Sequence, residues 1–203
     1  MSAVYLDILK DRLYTFRADS PLRRGSQTVL YDIVVALAKL MAPILSFTAE
    51  EIWRTFPNAV RVQAGEPSVH LASFPETDPR WADAKLAQRW ERLLRVRESV
   101  QGSLELVRSE KRIGSSLDAD VTVYAAPDLH ALLKEFKQEL PSILIVSQVE
   151  LREDRDSSSG LGLLVKVSPA SGKKCERCWN YRPAVGTYPD HPTLCDRCVE
   201  AVQ

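Results

Sequence analysis

The sequence predicts a multidomain, mainly α-helical protein built from three parts. An N-terminal antiparallel helical bundle with a connector and a long helix is expected over 1–113, a small α+β module over 114–168 and a C-terminal four-cysteine knuckle module over 169–203. Three observations support this division. Apolar residues recur every three or four positions in most of the first part, they alternate in the second part, and all the cysteines fall in the third.

Two helices are predicted at the start of the chain. Over 4–17, apolar side chains spaced by three and four residues form one stripe, and over 21–41 they form a broader apolar face. Ser20 and Pro21 mark the start of the second helix, because a hydroxyl suits the N-cap and proline suits the first helical position. Short connections between such helices favour an antiparallel bundle.

A short helix and a long helix are predicted next. Thr48, with Glu51 three residues later, has the spacing of a capping box, which would begin a helix that Pro57 ends. Residues 57–80 are rich in proline and are expected to form an irregular connector in which Ser68–Ala72 is extended. Helical spacing returns over 81–112, which is long enough for a helix of roughly 48 Å.

The second part changes to a β-rich pattern. Alternation over 121–125 predicts a strand, and 127–139 predicts a helix that Pro141 ends. An apolar run over 143–146 that continues towards 151 predicts a second strand, and residues 161–167 predict a third. The resulting order of strand, helix, strand and strand indicates a small α+β module.

The four cysteines form two Cys-x-x-Cys pairs, Cys175 with Cys178 and Cys195 with Cys198, separated by 16 residues. This spacing is typical of a structural zinc site, in which four thiolates close a tetrahedral shell and leave no position for catalytic water. Two disulfides, an iron–sulfur cluster or a redox dithiol are the alternatives, and His191 is a further candidate ligand. We expect one structural zinc, whose loss would unfold the tail locally and leave the helical bundle mostly intact.

Composition excludes several classes of protein. Lys+Arg and Asp+Glu are both 27, so overall charge does not indicate a nucleic-acid-binding protein, and any such role must come from local patches. No apolar run reaches about 18 residues, so we expect no membrane span. Cysteines used for metal fit a reducing cytoplasm. The sequence has no phosphate-binding glycine loop and no nucleophile elbow, so we expect no catalytic residues.

Cationic and aromatic residues near the knuckles suggest contacts with single-stranded RNA. Arg177 lies inside the first pair and Trp179 follows it, so a metal-bound turn would hold a guanidinium and a flat ring in place. Unpaired bases stack on such rings, and phosphates bind cations. Arg23, Arg24 and Lys10 are further candidates in the helical part. The alternatives are that Trp179 covers the core of the small module and that the three basic residues lie on a solvated helix face.

Several stretches resemble isoleucyl-tRNA synthetases of the bacterial type. Those similar to the anticodon-binding bundle are Tyr5–Tyr14, Arg23-Arg24 with Gln27-Thr28, Leu40–Leu45 and Phe47–Trp53. The last is shared in looser form with the valyl and leucyl enzymes. The stretches that distinguish the isoleucyl enzyme are Glu110–Leu117, Lys174–Trp179 and His191–Val199. The resemblance covers essentially the whole chain.

The resemblance implies the tRNA-binding C-terminal region of a much longer enzyme. That enzyme would activate isoleucine with ATP and attach it to tRNA, and this region would recognise the anticodon stem-loop of isoleucine tRNA. The signatures of the catalytic domain and the editing domain have no match here, so the chain alone is expected to be inactive and Met1 is not expected to be the enzyme's native start. The implied partners are isoleucine tRNA and the remaining catalytic and editing domains, and we expect a cytoplasmic monomer.

Two other functions stay open on the residues alone. A DNA-repair glycosylase of the formamidopyrimidine type has a similar four-cysteine finger, but it also needs an N-terminal Pro-Glu pair that Met1-Ser2-Ala3 does not provide. A zinc-dependent protein-interaction adaptor would explain the knuckles. It would not explain the stretches Lys10–Tyr14 and Phe47–Trp53.

Overall fold

The computed structural model of the chain describes residues 2–57, 66–154 and 162–203. The chain forms two compact units, one made of Met1–Ala18 and Asp83–Gln203 and the other of Asp19–Ala82. The first unit is therefore discontinuous in sequence, and the second is inserted between its two pieces.

Helices dominate the described part of the chain. The α-helices are α1 Asp7–Thr15, α2 Pro21–Met41, α3 Ser46–Thr55, α4 Ala84–Ser109, α5 Pro127–Glu135, α6 Leu140–Leu144 and α7 Asp196–Val202. The strands are β1 Ala119–Ala125, β2 Gln148–Glu153, β3 Leu163–Pro169, β4 Lys173–Lys174 and β5 Tyr181–Arg182. A π-helical turn at Ser2–Leu6 precedes α1, and 3-10 turns span Val69–Leu71, Pro79–Trp81 and Ser116–Asp118. The predicted mainly helical fold with a small α+β module and a knuckle module is confirmed.

The sheet of the first unit has the order β2-β1-β3. Strand β1 pairs in parallel with β2 and antiparallel with β3, so Val121 lies between Val149 and Val167. Helices α5 and α6 form the connection that a parallel pair requires. On β1 every second residue is fully buried, as expected for a central strand with one face against a core.

The long helix α4 covers that core. Its buried apolar side chains, Leu93, Val96, Val100 and Leu104, belong to the same cluster as the inward residues of β1 and of α5 and α6. Helix α1 packs against α6, and its Ile8 and Leu9 are buried. Burying this apolar surface is the main favourable contribution to the stability of the unit.

The second unit has a smaller core around Trp53. The Trp53 ring is 1% exposed, meets Phe56 edge to face at 5.7 Å and donates from Nε1 to the Glu66 carbonyl at 3.1 Å. Glu50 ties α3 to the following 3-10 turn, because its Oε2 accepts from Ser68 Oγ at 2.8 Å and from the Val69 N–H at 3.1 Å.

The predicted domain boundaries differ from the observed grouping of elements. The range 1–113 is divided between the two units, because α1 and α4 pack with the α+β module whereas α2 and α3 form the core of the inserted unit. The division at 113 and 168 into separate domains stays a prediction.

The predicted capping box at Thr48 is wrong. Helix α3 begins at Ser46, because the Ala49 N–H already donates to the Leu45 carbonyl at 2.9 Å, and this places Thr48 inside the first turn. The neighbouring carboxylate of Glu50 binds Arg54 within the helix and Ser68 and Val69 beyond it. Of the predicted connector, residues 58–65 lie outside the described residues, and the stretch expected to be extended forms the turn Val69–Leu71.

The predicted strand over 143–146 is also wrong. Leu140 and Leu144 enter the core from the short helix α6, in which Ile143 is also buried and whose first turn accommodates Pro141. Ile145 then adopts the left-handed conformation at φ 57° and ends the helix. Proline therefore begins an element here instead of ending one. The start of the predicted third strand, residue 161, lies outside the described residues.

Within the described ranges, no helix combines the length and the apolar character needed to cross a bilayer.

Candidate metal centre and nucleic-acid interface

The two cysteine pairs lie on different local structures. The first pair follows β4 and forms a tight turn back to β5, in which the Trp179 N–H donates to the Cys175 carbonyl at 2.8 Å. Trp179 closes this turn with a positive φ of 64°. The second pair lies at the start of α7, where Cys195 is the N-cap residue. A turn and a helix start each present two sulfurs to a common point.

The four sulfurs form one buried group. Cys175, Cys178, Cys195 and Cys198 are all buried, and their Sγ atoms lie within 4.8 Å of one another. The Sγ atoms of Cys178 and Cys195 are 3.7 Å apart. Zinc–sulfur bonds of roughly 2.3 Å in a tetrahedron require sulfurs about 3.8 Å apart, so the cluster fits zinc. Among the described residues, His191 does not belong to this cluster of candidate ligands, and the four sulfurs complete the shell without it.

The thiols influence one another strongly. A hydrogen bond from Cys195 holds the pKa of Cys178 far below its usual range, and the same interaction raises the pKa of Cys195 well above it. Burial adds to the rise at Cys195. Without a cation, such a cluster keeps protons on some of its sulfurs. A divalent ion replaces those protons and allows four thiolates to share one space.

Arg197, in the second pair, binds α1. Its Nη1 lies 2.6 Å from Asp11 Oδ2 and its Nη2 lies 2.8 Å from Asp11 Oδ1. The guanidinium also lies over the Phe16 ring, 4.8 Å from its centroid. Burial alone would lower the pKa of Arg197, but the hydrogen bonds and charge of Asp11 outweigh it and raise the pKa. Arg197 is therefore a fixed cation.

Arg177, in the first pair, binds the same helix. Its Nη1 donates to the Thr15 carbonyl at the end of α1 and lies 3.6 Å from Cys198 Sγ. Each arginine stands directly before the second cysteine of its pair, so the two knuckles use equivalent positions to hold one helix.

A cleft of ≈ 590 Å³ lies where α1, α6 and the first knuckle meet. Its lining brings together Lys10 and Tyr14 from α1, Trp179 from the knuckle and Arg182 from β5. The Tyr14 and Trp179 residues are 76% and 61% exposed, so their rings are available to a ligand. Trp179 thus does not cover the core of the small module, which is formed by Val185 with the cysteines.

The structure brings together three of the five predicted RNA contacts. Lys10, Arg177 and Trp179 all line this cleft, although Lys10 Nζ is 2.9 Å from Asp7 Oδ1. Arg23 and Arg24 lie near the start of α2 in the inserted unit, where Arg24 is exposed and Arg23 is half-buried.

Two cleft residues were not predicted as contacts. Tyr14 follows Lys10 by four residues, which places both on one helix face, and this spacing was a usable signal. Arg182 faces the cleft only because β5 pairs with β4, and its sequence neighbours did not indicate that pairing.

Comparison with known proteins decides the family. The profile described as "Anticodon-binding domain of tRNA ligase" matches residues 1–123, more than half of the chain. The chain belongs to this tRNA-ligase family. A second profile, described as "Zinc finger found in FPG and IleRS", matches residues 172–201. Together with the converging sulfurs, it supports one structural zinc in this tRNA-ligase chain, as predicted.

The similar curated proteins are isoleucine–tRNA ligases. The chain is 49% identical to the one from Geobacter sulfurreducens over 208 residues, covering 100% of this chain. It is 48% identical to that of Syntrophotalea carbinolica over 98% of this chain, and 43% identical to that of Kosmotoga olearia over 100%. The chain spans about 22% of the length of these relatives. The predicted resemblance to a fragment of isoleucine–tRNA ligase is thus confirmed.

Proposed function

We propose that this chain is the part of an isoleucine–tRNA ligase that recognises the anticodon stem-loop of isoleucine tRNA. The observation that carries the proposal is the cleft lined by Lys10, Tyr14, Trp179 and Arg182. It combines cations with exposed rings, and both of its main walls lie in the matched anticodon-binding and zinc-finger ranges.

The chemistry of the cleft suits an unpaired loop of RNA. The Trp179 ring offers a stacking surface for one base, and Lys174 Nζ lies 5.9 Å from its centroid, close enough to meet an adjoining phosphate. Tyr14 offers a second ring together with a hydroxyl that can hydrogen-bond a base edge. Lys10 and Arg182 add positive charge to a protein whose overall charge is balanced.

We assign Cys175, Cys178, Cys195 and Cys198 as the zinc ligands. A shell of four thiolates is closed, so the metal supports the fold and leaves no position for a reacting water. Its contribution to binding is to hold the turn that presents Trp179.

The remaining predicted contacts have different proposed roles. Arg177 is engaged by the Thr15 carbonyl and Cys198 Sγ, so we propose that it positions the knuckle against α1 while its other N–H groups stay near the cleft. Arg23 and Arg24 are proposed to contact the phosphates of the stem, with Arg24 the more accessible of the two.

Binding of RNA to the zinc-loaded chain tests the proposal. A labelled anticodon stem-loop of isoleucine tRNA would be titrated at two salt concentrations, beside the same stem-loop with an exchanged anticodon and a DNA copy. We expect clear preference for the isoleucine RNA. Equal affinity for all three, with a steep dependence on salt, would mean contacts to the backbone only and would refute anticodon recognition.

A matched pair of tryptophan variants tests the cleft itself. Trp179→Ala is expected to weaken binding by about 5- to 150-fold, the equivalent of about 1–3 kcal/mol for one stacked base. Trp81 is the control, because it is 73% exposed but belongs to the inserted unit. Trp81→Ala should leave affinity within about twofold. Similar losses for both variants would argue against a specific stacking site.

Activation of isoleucine with ATP and aminoacylation of tRNA are proposed for the longer polypeptide and not for this chain alone. The described residues include a four-cysteine metal site and a cleft suited to RNA, and neither of these performs acyl transfer. We expect the purified chain to give no isoleucine-dependent pyrophosphate exchange, and measurable exchange would contradict this assignment.

We propose that the rest of the polypeptide, with its catalytic and editing domains, contacts the apolar end of α2 and α3. Ile44 and Phe47 there are 84% and 90% exposed, and the chain represents only 22% of its relatives. The chain is proposed to act as a monomer in the cytoplasm. Light scattering should give the monomer mass, and a separately expressed remainder of the polypeptide should bind Phe47→Ser less tightly than the unchanged chain.

A further inference from the structure

We propose that Asp11 is a positioning residue for the zinc module, so that zinc retention and the order of α1 depend on each other. Asp11 lies in the first helix, 186 residues before the arginine that it binds. This link is not expected if the tail and the helices have separate cores.

The first argument is the geometry of the Asp11–Arg197 pair. Two parallel contacts of 2.6 and 2.8 Å join the carboxylate to the guanidinium, and the two side chains are only 24% and 21% exposed. Asp11 Oδ1 also accepts from Thr15 Oγ1 at 2.7 Å, which fixes the carboxylate on its own helix. A sheltered, bidentate pair of this kind is stronger and more directional than a surface ion pair.

The second argument is that Arg177 holds the same helix end from the other knuckle. It donates to the Thr15 carbonyl in the last turn of α1, where carbonyls lack a partner within the helix. Its contact with Cys198 Sγ at 3.6 Å connects α1 directly to a metal-binding sulfur. Positive groups at this end also interact favourably with the helix dipole.

The third argument is the length of α1. It has nine residues, and a helix of this length is marginal in water without tertiary contacts. Its order must therefore come from tertiary contacts, among them the burial of Ile8 and Leu9 and the two arginines. When zinc leaves, the turns that carry both arginines lose their anchor. Because such coupling is reciprocal, a change at Asp11 must also weaken zinc binding.

Zinc affinity of the full chain, measured by competition with a coloured chelator, tests this coupling. Removing a group that supports a metal ligand typically lowers metal affinity by about 10–100-fold. Asp11→Asn should therefore raise the zinc dissociation constant by about 10–100-fold. Asp128→Asn is the matched control, because Asp128 also pairs with an arginine of the same unit, at 2.6 Å, but is 75% exposed. The zinc dissociation constant of Asp128→Asn should stay within about twofold of that of the unchanged chain.

A second measurement needs no variant. Hydrogen exchange of the α1 amides is compared between the zinc-loaded and the chelated chain, with the buried strand β1 as an internal reference. We expect faster exchange in α1 and little change in β1 once zinc is removed. Unchanged α1 exchange, or equal zinc affinity of Asp11→Asn and the unchanged chain, would overturn the proposal. Neither measurement uses RNA, so the outcome is independent of the proposed function.

Discussion

Replacing Arg97 by methionine should destabilise the first unit, although Arg97 itself does not line the cleft. Arg97 occupies the apolar face of α4 and its side chain is 4% exposed. Its Nη1 donates to the Ile143 carbonyl in α6, and its Nη2 lies 3.6 Å from Asp7 Oδ2 on α1. One buried cation thus connects three helices, and burial lowers its pKa while Asp7 opposes that effect. Arginine still stays charged, because its pKa starts so high.

The expected loss can be worked from these contacts. Removing a charged donor from a buried carbonyl costs about 1.5–3 kcal/mol. The attraction to Asp7 across 3.6 Å adds about 1 kcal/mol, near the aqueous limit, because Asp7 is 35% exposed. Methionine packs in the same space and, unlike the guanidinium, needs no desolvation. This difference offsets about 1–2 kcal/mol of the destabilisation. The net destabilisation is about 2 kcal/mol.

Urea unfolding of the zinc-loaded chain, followed by far-ultraviolet circular dichroism, measures this loss. With a slope of about 2 kcal/mol per molar urea, the transition of the first unit should shift by about 1 M. Arg95→Met is the matched control on the same helix, because Arg95 is 60% exposed and pairs with Glu91 at 3.7 Å. It should change stability by less than about 0.5 kcal/mol. An Arg97→Met midpoint equal to that of the control, or higher than that of the unchanged chain, would refute the reasoning.

Three further predictions concern other sites. The hydrogen bond from Ser68 lowers the pKa of Glu50 in the folded chain. The contribution of Glu50 to stability is therefore complete above its unfolded pKa of about 4.5 and is lost as pH falls through the lower folded pKa. Between pH 6 and 3, the urea midpoint should fall less for Glu50→Gln than for the unchanged chain. Both glycines have a positive φ that strains an alanine, but Gly172→Ala should impair zinc binding more than Gly186→Ala. The Cβ at Gly172 would lie 2.5 Å from the β5 backbone, whereas at Gly186 it would lie 3.4 Å from the flexible end of Lys173 and 3.9 Å from the Pro192 carbonyl oxygen. Trp53→Ala should cost the inserted unit about 3–5 kcal/mol and Trp53→Phe clearly less, measured by thermal unfolding.

Equal results for the two proteins compared would contradict each of these predictions. Parallel acid profiles for Glu50→Gln and the unchanged chain would mean that the carboxylate has the same pKa folded and unfolded. Equal zinc stoichiometry and stability for the two glycine variants would mean that the hairpin tolerates a Cβ at Gly172. A loss for Trp53→Phe as large as for Trp53→Ala would place the whole effect in the indole hydrogen bond.

Most helices could be predicted from sequence because their signals are local. The second helix was predicted over the observed range Pro21–Met41, since Ser20 and Pro21 mark its start and its apolar face extends to residue 41. The errors at Thr48 and at residues 143–146 have a different origin. A short apolar run fits a strand and a buried helix equally well, and only packing against α1, α4 and β2 decides that these residues form a helix.

The metal site could be predicted because its ligands are two local motifs, whereas its surroundings could not. Nothing in the spacing of Asp11 and Arg197 indicates that they meet, since their pairing depends on how α1 docks. The prediction that Arg177 acts in RNA binding had a sound chemical basis, but its closest contact is with the protein. Local sequence thus identified the cysteine cluster, whereas the protein contacts of the arginines depend on the tertiary fold.

The discontinuous first unit affects the order in which the molecule is built on the ribosome. Thr15 and Arg177 are 162 residues apart, and Asp11 and Arg197 are 186 apart. At ribosomal speeds of 5–20 residues per second, roughly 8 to 37 s pass between synthesis of the helix and synthesis of the arginines that hold it. During this time the inserted unit can fold by itself, because its contacts are all shorter in sequence. The cleft can therefore form only after the second cysteine pair has emerged and acquired its metal.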